Sequence, residues 1–276
     1  MTEAMRSELF LMRKRPLGYI IGALWTLMVI FFAYVIPYIV AKTLPNPGDA
    51  SAVMEVISLP KFPATSVGSY PMFGGAIFLI LGACITGSEF GWGTWKVRFT
   101  QGPNRTEIIM AKFMVGAITA AVIVTIAHIF ALITSFIMSR IEQVDESWPS
   151  LTFLLASWGA AIAIGITSCW IGMMLAILTK NLALALSVGL LWTLAFENII
   201  AGLSLMWPSL SFVQKILLGP AGGSLAHTLG ATPMMQGGTP GVVDTHSAPI
   251  ALSILAIYSL ISLFISIVIM RRRDIN

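Results

Sequence analysis

Few residues in this 276-residue chain combine a reactive side chain with a setting that could use it. Glu197 is an acidic residue inside an otherwise apolar run, with Asn198 beside it, and His128 sits near the middle of another run. A carboxylate within a bilayer costs about 2.5–3.5 kcal/mol on insertion scales, so it is a functional candidate by default. Two readings of Glu197 stand side by side: it braces a turn near the end of its span, or it lines a transport path. For His128 the choice is between a hydrogen bond to a neighbouring helix and a proton relay, and a lone histidine among apolar residues favours the first. Other chemistry is sparse. No HExxH, GxSxG or GxxxxGK[ST] pattern occurs, so the chain has neither a hydrolase signature nor a phosphate cradle with which to hydrolyse ATP. Cys84 and Cys169 both lie in apolar runs and read as small core residues, while His227 and His246 show no ligand spacing. The sequence therefore implies no metal and no cofactor in this chain.

The elements that must position these residues follow from composition. Hydrophobic residues make up 57% and charged residues 10% of the chain, where a soluble domain carries about 25% charge. Such a chain needs lipid as its solvent. Its net charge of +4 comes from short basic flanks between apolar runs, which argues against a nucleic-acid partner. A membrane-crossing helix needs roughly 20 apolar residues. The charge-free gaps place spans at about 17–41, 70–88, 113–139, 151–179 and 249–270, with a sixth at 182–206 that contains Glu197. The first is too long for a signal peptide and has no clean cleavage site, so it reads as retained. Residues 216–243 are also uncharged, but they hold seven glycines and three prolines. That density of breakers predicts an exterior segment, or one that dips back as a re-entrant piece, rather than a span. The expected fold is all-α and polytopic: one transmembrane domain over 1–276 with six spans and no nucleotide-binding domain.

Twelve of the sixteen basic residues fall in the N-terminal segment, the 89–112 connection, the 180–181 turn and the C-terminus. The positive-inside rule then places both termini in the cytoplasm, with 42–69, 140–150 and 207–248 outside. Before the first span, Met5, Leu9 and Met12 recur at helical spacing with Arg6 and Arg13 on the flank. This predicts a short amphipathic helix on the inner leaflet, with Arg13, Lys14 and Arg15 near anionic headgroups; the plainer alternative is a basic flank that only sets topology. The 87–112 connection interleaves Trp92, Trp95, Val97 and Phe99 with Lys96 and Arg98, which suits a short helix with one apolar side. Gly102-Pro103 ends it, and Asn104 followed by Glu107 resembles a capping box for the next helix. The alternatives are a structured elbow that docks on a partner, or one that rests on lipid.

At this point the sequence resembles a family. Glu89 after span 2, Gly93-Thr94, Pro103-Asn104-Arg105, Lys112 at the head of span 3 and the closing RRRDI at 271–275 are similar to the pattern of type-2 ABC transporter permeases. The resemblance covers the whole chain, from amphipathic start to large exterior segment between spans 5 and 6; the bulky WKVR departs from the aliphatic residues more usual there. It implies that the elbow is a coupling helix seated on a separate cytoplasmic ATPase, with two ATPase copies binding ATP and Mg, a second permease chain (identical or related), and export by alternating access. Carried over residue by residue, the coupling set is Glu89, Gly93, Thr94, Trp95, Arg98, Pro103 and Arg105. Trp92 and Trp95 would anchor in an apolar groove of the ATPase, and Arg98 and Arg105 would meet acidic groups at its rim. The implied location is a bacterial inner membrane. Mostly apolar and small span residues suit a hydrophobic or amphipathic cargo such as a peptide antibiotic, a drug or a lipid. Two other classes compete. An ion-gradient-driven transporter needs midplane charges and an internal repeat, for which only Glu197 and His128 are candidates; an intramembrane enzyme lacks its motifs.

Overall fold

The structure is a computed structural model that describes residues 2–101, 104–233 and 237–272. Among these residues it is mostly helical, with turns, irregular links such as 144–150 and one isolated bridge between Pro233 and Thr239. Besides a short 3-10 turn at Pro208–Leu210, eleven helical elements follow in chain order: α1 (Thr2–Lys14), α2 (Leu17–Thr43), α3 (Pro47–Ile57), α4 (Leu59–Gly91), α5 (Thr94–Gln101), α6 (Arg105–Glu142), α7 (Leu151–Thr179), α8 (Leu182–Ser204), α9 (Ser211–Ile216), α10 (Leu218–Thr228) and α11 (Ala248–Arg272). Six of them, α2, α4, α6, α7, α8 and α11, are long and apolar enough to cross a membrane.

Burial separates the six. The most apolar stretches of α4 and α7 are 67% and 56% buried, against 17–33% for the other four. The α4–α7 pair is therefore the centre of the bundle, and the remaining helices pack around it. Glycine permits the close approach. A Cβ on Gly172 would collide with the backbone carbonyl of Leu79, and one on Gly82 with that of Cys169, as in close-packed membrane helices where small residues line the contact. Gly165 meets Val124 and Phe78 side chains, whereas Gly159 faces open space, so the small residues of α7 do not act alike. Trp25 joins α2 to this core, edge-on to Tyr70 at 5.0 Å and to Phe78 at 6.0 Å.

Three spans contain a π-helical turn: Phe31–Val35 in α2, Tyr70–Gly74 in α4 and Leu191–Phe196 in α8. The first lies just before Pro37 and the second includes Pro71. Proline has no N–H and its ring crowds the preceding turn, which widens or kinks the ladder. The third has no proline. There the Asn198 amide nitrogen donates to the carbonyls of Thr193 (3.2 Å) and Leu194 (3.1 Å), which a widened turn leaves short of partners.

Several boundaries differ from those expected. Span 2 starts at Leu59 rather than near 70, and α3 precedes it, so 42–69 is largely helical. Span 3 extends from Arg105 to Glu142, because its polar first turns continue the helix beyond the apolar core. The breaker-rich stretch is not among the six, as expected, but it is not irregular: Leu218–Thr228 is a helix, and Pro220 to Ala226 are buried in it. Its glycines make that burial possible. A Cβ on Gly223 would meet the Gly241 carbonyl, and one on Gly222 would touch Ile164. Tertiary burial here outweighs low helix propensity.

Candidate functional site

The elbow is built from the sharp exit of α4. Gly93 has φ of +66°, a left-handed conformation that glycine adopts without the penalty a Cβ would bring. It reverses the chain so that α5 folds back, and the Thr94 hydroxyl donates to the Glu89 carbonyl at 3.4 Å. The next helix starts at Asn104, whose side chain accepts from the Thr106 N–H at 3.3 Å. Pro103 lies outside the described residues.

Beneath the elbow sits a cluster of charges removed from water. Glu89 is fully buried, and its Oε1 accepts from Lys112 Nζ at 2.9 Å and from Arg15 Nη2 at 3.0 Å, with Arg98 Nη2 at 3.3 Å. Glu8, on α1, accepts from Lys112 Nζ at 2.9 Å and from Arg98 Nη1. Lys112 is 1% exposed and lies 5.4 Å from the Trp95 ring centroid. Arg15 stacks over Trp92 at 5.1 Å. Burial lowers the Arg98 guanidinium from its ordinary value. Two carboxylates thus hold three cations, drawn from α1, the link between α1 and α2, the end of α4, the elbow α5 and the head of α6. Each charge alone would be costly to bury; paired and hydrogen-bonded, they are held, and removing either carboxylate leaves cations uncompensated.

This arrangement corrects the expected roles. Trp95 is 1% exposed, packed between Phe90 and Phe99 at 5.5 and 5.4 Å, and cannot anchor in a partner. Arg98 faces inward onto Glu8 and Glu89. Arg105 stacks over Phe99 at 5.1 Å and donates to the Met270 carbonyl at 3.3 Å, which ties the end of α11 to the elbow. Arg15 is engaged by Glu89 rather than directed at headgroups. The outward face of the elbow is instead Trp92, 63% exposed, and Val97, 53% exposed. Glu8 went unremarked in the sequence. The signal for it was its place one turn after Ala4 and one turn before Met12, on the face of α1 that packs on α6.

The other candidates lie elsewhere. Glu197 is 4% exposed and accepts from Gly219 N at 3.0 Å and from Trp192 Nε1 at 3.1 Å. Gly219 stands in the first turn of α10, so the carboxylate caps that helix and faces the positive end of its dipole. Asn198 acts on the π turn as described above. The His128 ring meets Ser66 Oγ at 3.0 Å through Nδ1 and Ser157 Oγ at 3.4 Å through Nε2, with Phe62 edge-on at 4.7 Å. It joins α4, α6 and α7, as expected of a histidine bonded to neighbouring helices. Among the described residues no group of histidine, cysteine or acidic side chains could hold a metal ion.

Fold and site define an all-helical chain with six helices fit to cross a membrane and a charge-clamped elbow at one end. Residues 69–276 match the family described as protein of unknown function, DUF2705, and the chain belongs to that family. No curated protein matches its sequence.

Proposed function

We propose that this chain is the membrane permease subunit of an ATP-driven exporter, working with a separate ATPase and a second permease chain. The observation that carries the reading is the elbow. Its helix is short, rigid and clamped through Glu89, Arg98 and Lys112 to spans 2 and 3 and to α1. A push on such an element moves the spans with it, whereas a flexible loop would absorb the push. Its exposed Trp92 and Val97 offer an apolar surface of the kind that anchors in a groove, where aromatic residues dominate binding energy. The reading includes a bacterial inner membrane with both termini in the cytoplasm, and a hydrophobic or amphipathic cargo. Supporting the orientation, the basic N-terminal helix, the elbow and the end of α11 meet at one end of the bundle, and the Lys42–Glu142 pair marks the other.

The test is co-expression with the Walker-motif ATPase encoded nearest the gene, followed by co-purification and transport in vesicles. Trp92→Ala should release the ATPase or uncouple its hydrolysis from transport, while the six spans still insert. Unchanged co-purification and unchanged transport in Trp92→Ala and in a Gly93→Val variant would refute the coupling role.

A further inference from the structure

A cavity of about 680 Å³ lies at the opposite end of the bundle from the charge cluster. Its walls come from α2, α3, the start of α4 and the chain around Thr239. The volume is within the roughly 300–1,000 Å³ range of small-molecule sites. Along α2 the lining extends from Trp25 to Pro37, a length of about 18 Å at 1.5 Å per residue. Trp25, Met28, Phe32 and Phe73 give it an elongated apolar wall, from the buried Trp25 to the exposed Phe32 and Phe73. The charged residues in its lining are Glu55 and Lys61, which face each other at 3.5 Å and are 65% and 53% exposed. The cavity is therefore long, apolar along α2, and edged by one negative and one positive charge.

We propose that this cavity binds a single-chain zwitterionic amphiphile, with its tail along α2 and its head between Glu55 and Lys61. The two charges set the head. An exposed ion pair holds itself only weakly, so a head carrying both signs can exchange with it: cation to Glu55, anion to Lys61. A purely anionic or purely cationic head would meet one like charge. The elongated apolar wall sets the tail. The inference does not depend on the ATPase partner, because it concerns binding to this chain alone.

The test uses the full chain purified in alkyl maltoside and titrated with dodecylphosphocholine, read by native mass spectrometry. One retained equivalent per chain is expected. Ala33→Phe, which fills the cavity, and Lys61→Glu, which makes the edge doubly acidic, should each weaken binding about tenfold or more. Lys61 is exposed, so its variant should keep the wild-type melting midpoint and guard against misfolding as the cause. The proposal is overturned if both variants bind like wild type, or if dodecyl sulfate or dodecyltrimethylammonium binds as well as the phosphocholine. It is also overturned if a two-chain phosphatidylcholine in nanodiscs competes equally, since the site would then hold ordinary bilayer lipid.

Discussion

Glu89→Gln should loosen the elbow without disturbing the bundle. The Glu89 carboxylate serves Lys112, Arg15 and Arg98 through one oxygen, and all of them are wholly or largely buried. Glutamine keeps the shape and one acceptor but removes the charge. Three cations would then be left with Glu8 alone, and the formal charge of the cluster would rise from +1 to +2. Breaking a buried pair in this way costs about 3–5 kcal/mol, most of it the cost of uncompensated charge. The cost falls locally, because the six spans keep their own packing. It should therefore appear as easier opening of α5. At 1.36 kcal/mol per decade, 3 kcal/mol corresponds to about a hundredfold faster amide exchange in peptides covering 94–101. Amides in the α4–α7 core should not change. A second variant, Lys112→Met, removes one stranded cation, and adding it to Glu89→Gln returns the cluster to +1. The double variant should recover much of the protection, giving a clear coupling term in the cycle. The reasoning fails if Glu89→Gln leaves elbow exchange unchanged, or if the double variant exchanges as fast as the sum of the two singles.

Three further outcomes follow from the same structure. Glu197→Gln retains one acceptor for the α10 cap and should stay assembled, whereas Glu197→Leu leaves the Gly219 and Trp192 N–H groups unpaired, at about 1–3 kcal/mol each, and should lower the melting midpoint; equal midpoints would make the residue incidental. Gly172→Ala forces a Cβ into the Leu79 carbonyl and should destabilise by about 1–3 kcal/mol, while Gly159→Ala, facing open space, should be near neutral; thermal melts of the pair check the contrast. With Cys84 and Cys169 replaced, a cysteine at Ser51 should react with an impermeant maleimide in intact cells and one at Val97 should not, and the reverse pattern would invert the proposed orientation.

How much of this was legible beforehand differs from one feature to the next. Six apolar runs could be counted from the chain, since the length of an uncharged stretch is a local property and the bilayer sets the length required. The left-handed turn at Gly93 came only with the structure, whereas the cap at Asn104 was readable, because it depends on residues within one turn. Which side of the elbow faces inward was not. Trp92 and Trp95 are three residues apart and of one type, yet one is 63% exposed and the other 1%. The difference arises because Lys112 and Phe99 pack against one of them only from within the bundle.

The sequence by itself determined that this is a helical chain rich in apolar runs, how many of them are long enough to span, and that a structured polar elbow separates two of them. Tertiary structure decided what the charged residues do. Glu89 pairs with Arg15 across 74 positions of sequence, Glu8 with Arg98 across 90 and with Lys112 across 104. No periodicity encodes such pairings, because they exist only once α1, α4, α5 and α6 meet at one end of the bundle. The same holds for α10, whose glycines and prolines predict a loop. They form a helix because Glu197 caps its first turn and the backbone of Gly241 packs so closely on Gly223 that no side chain fits there.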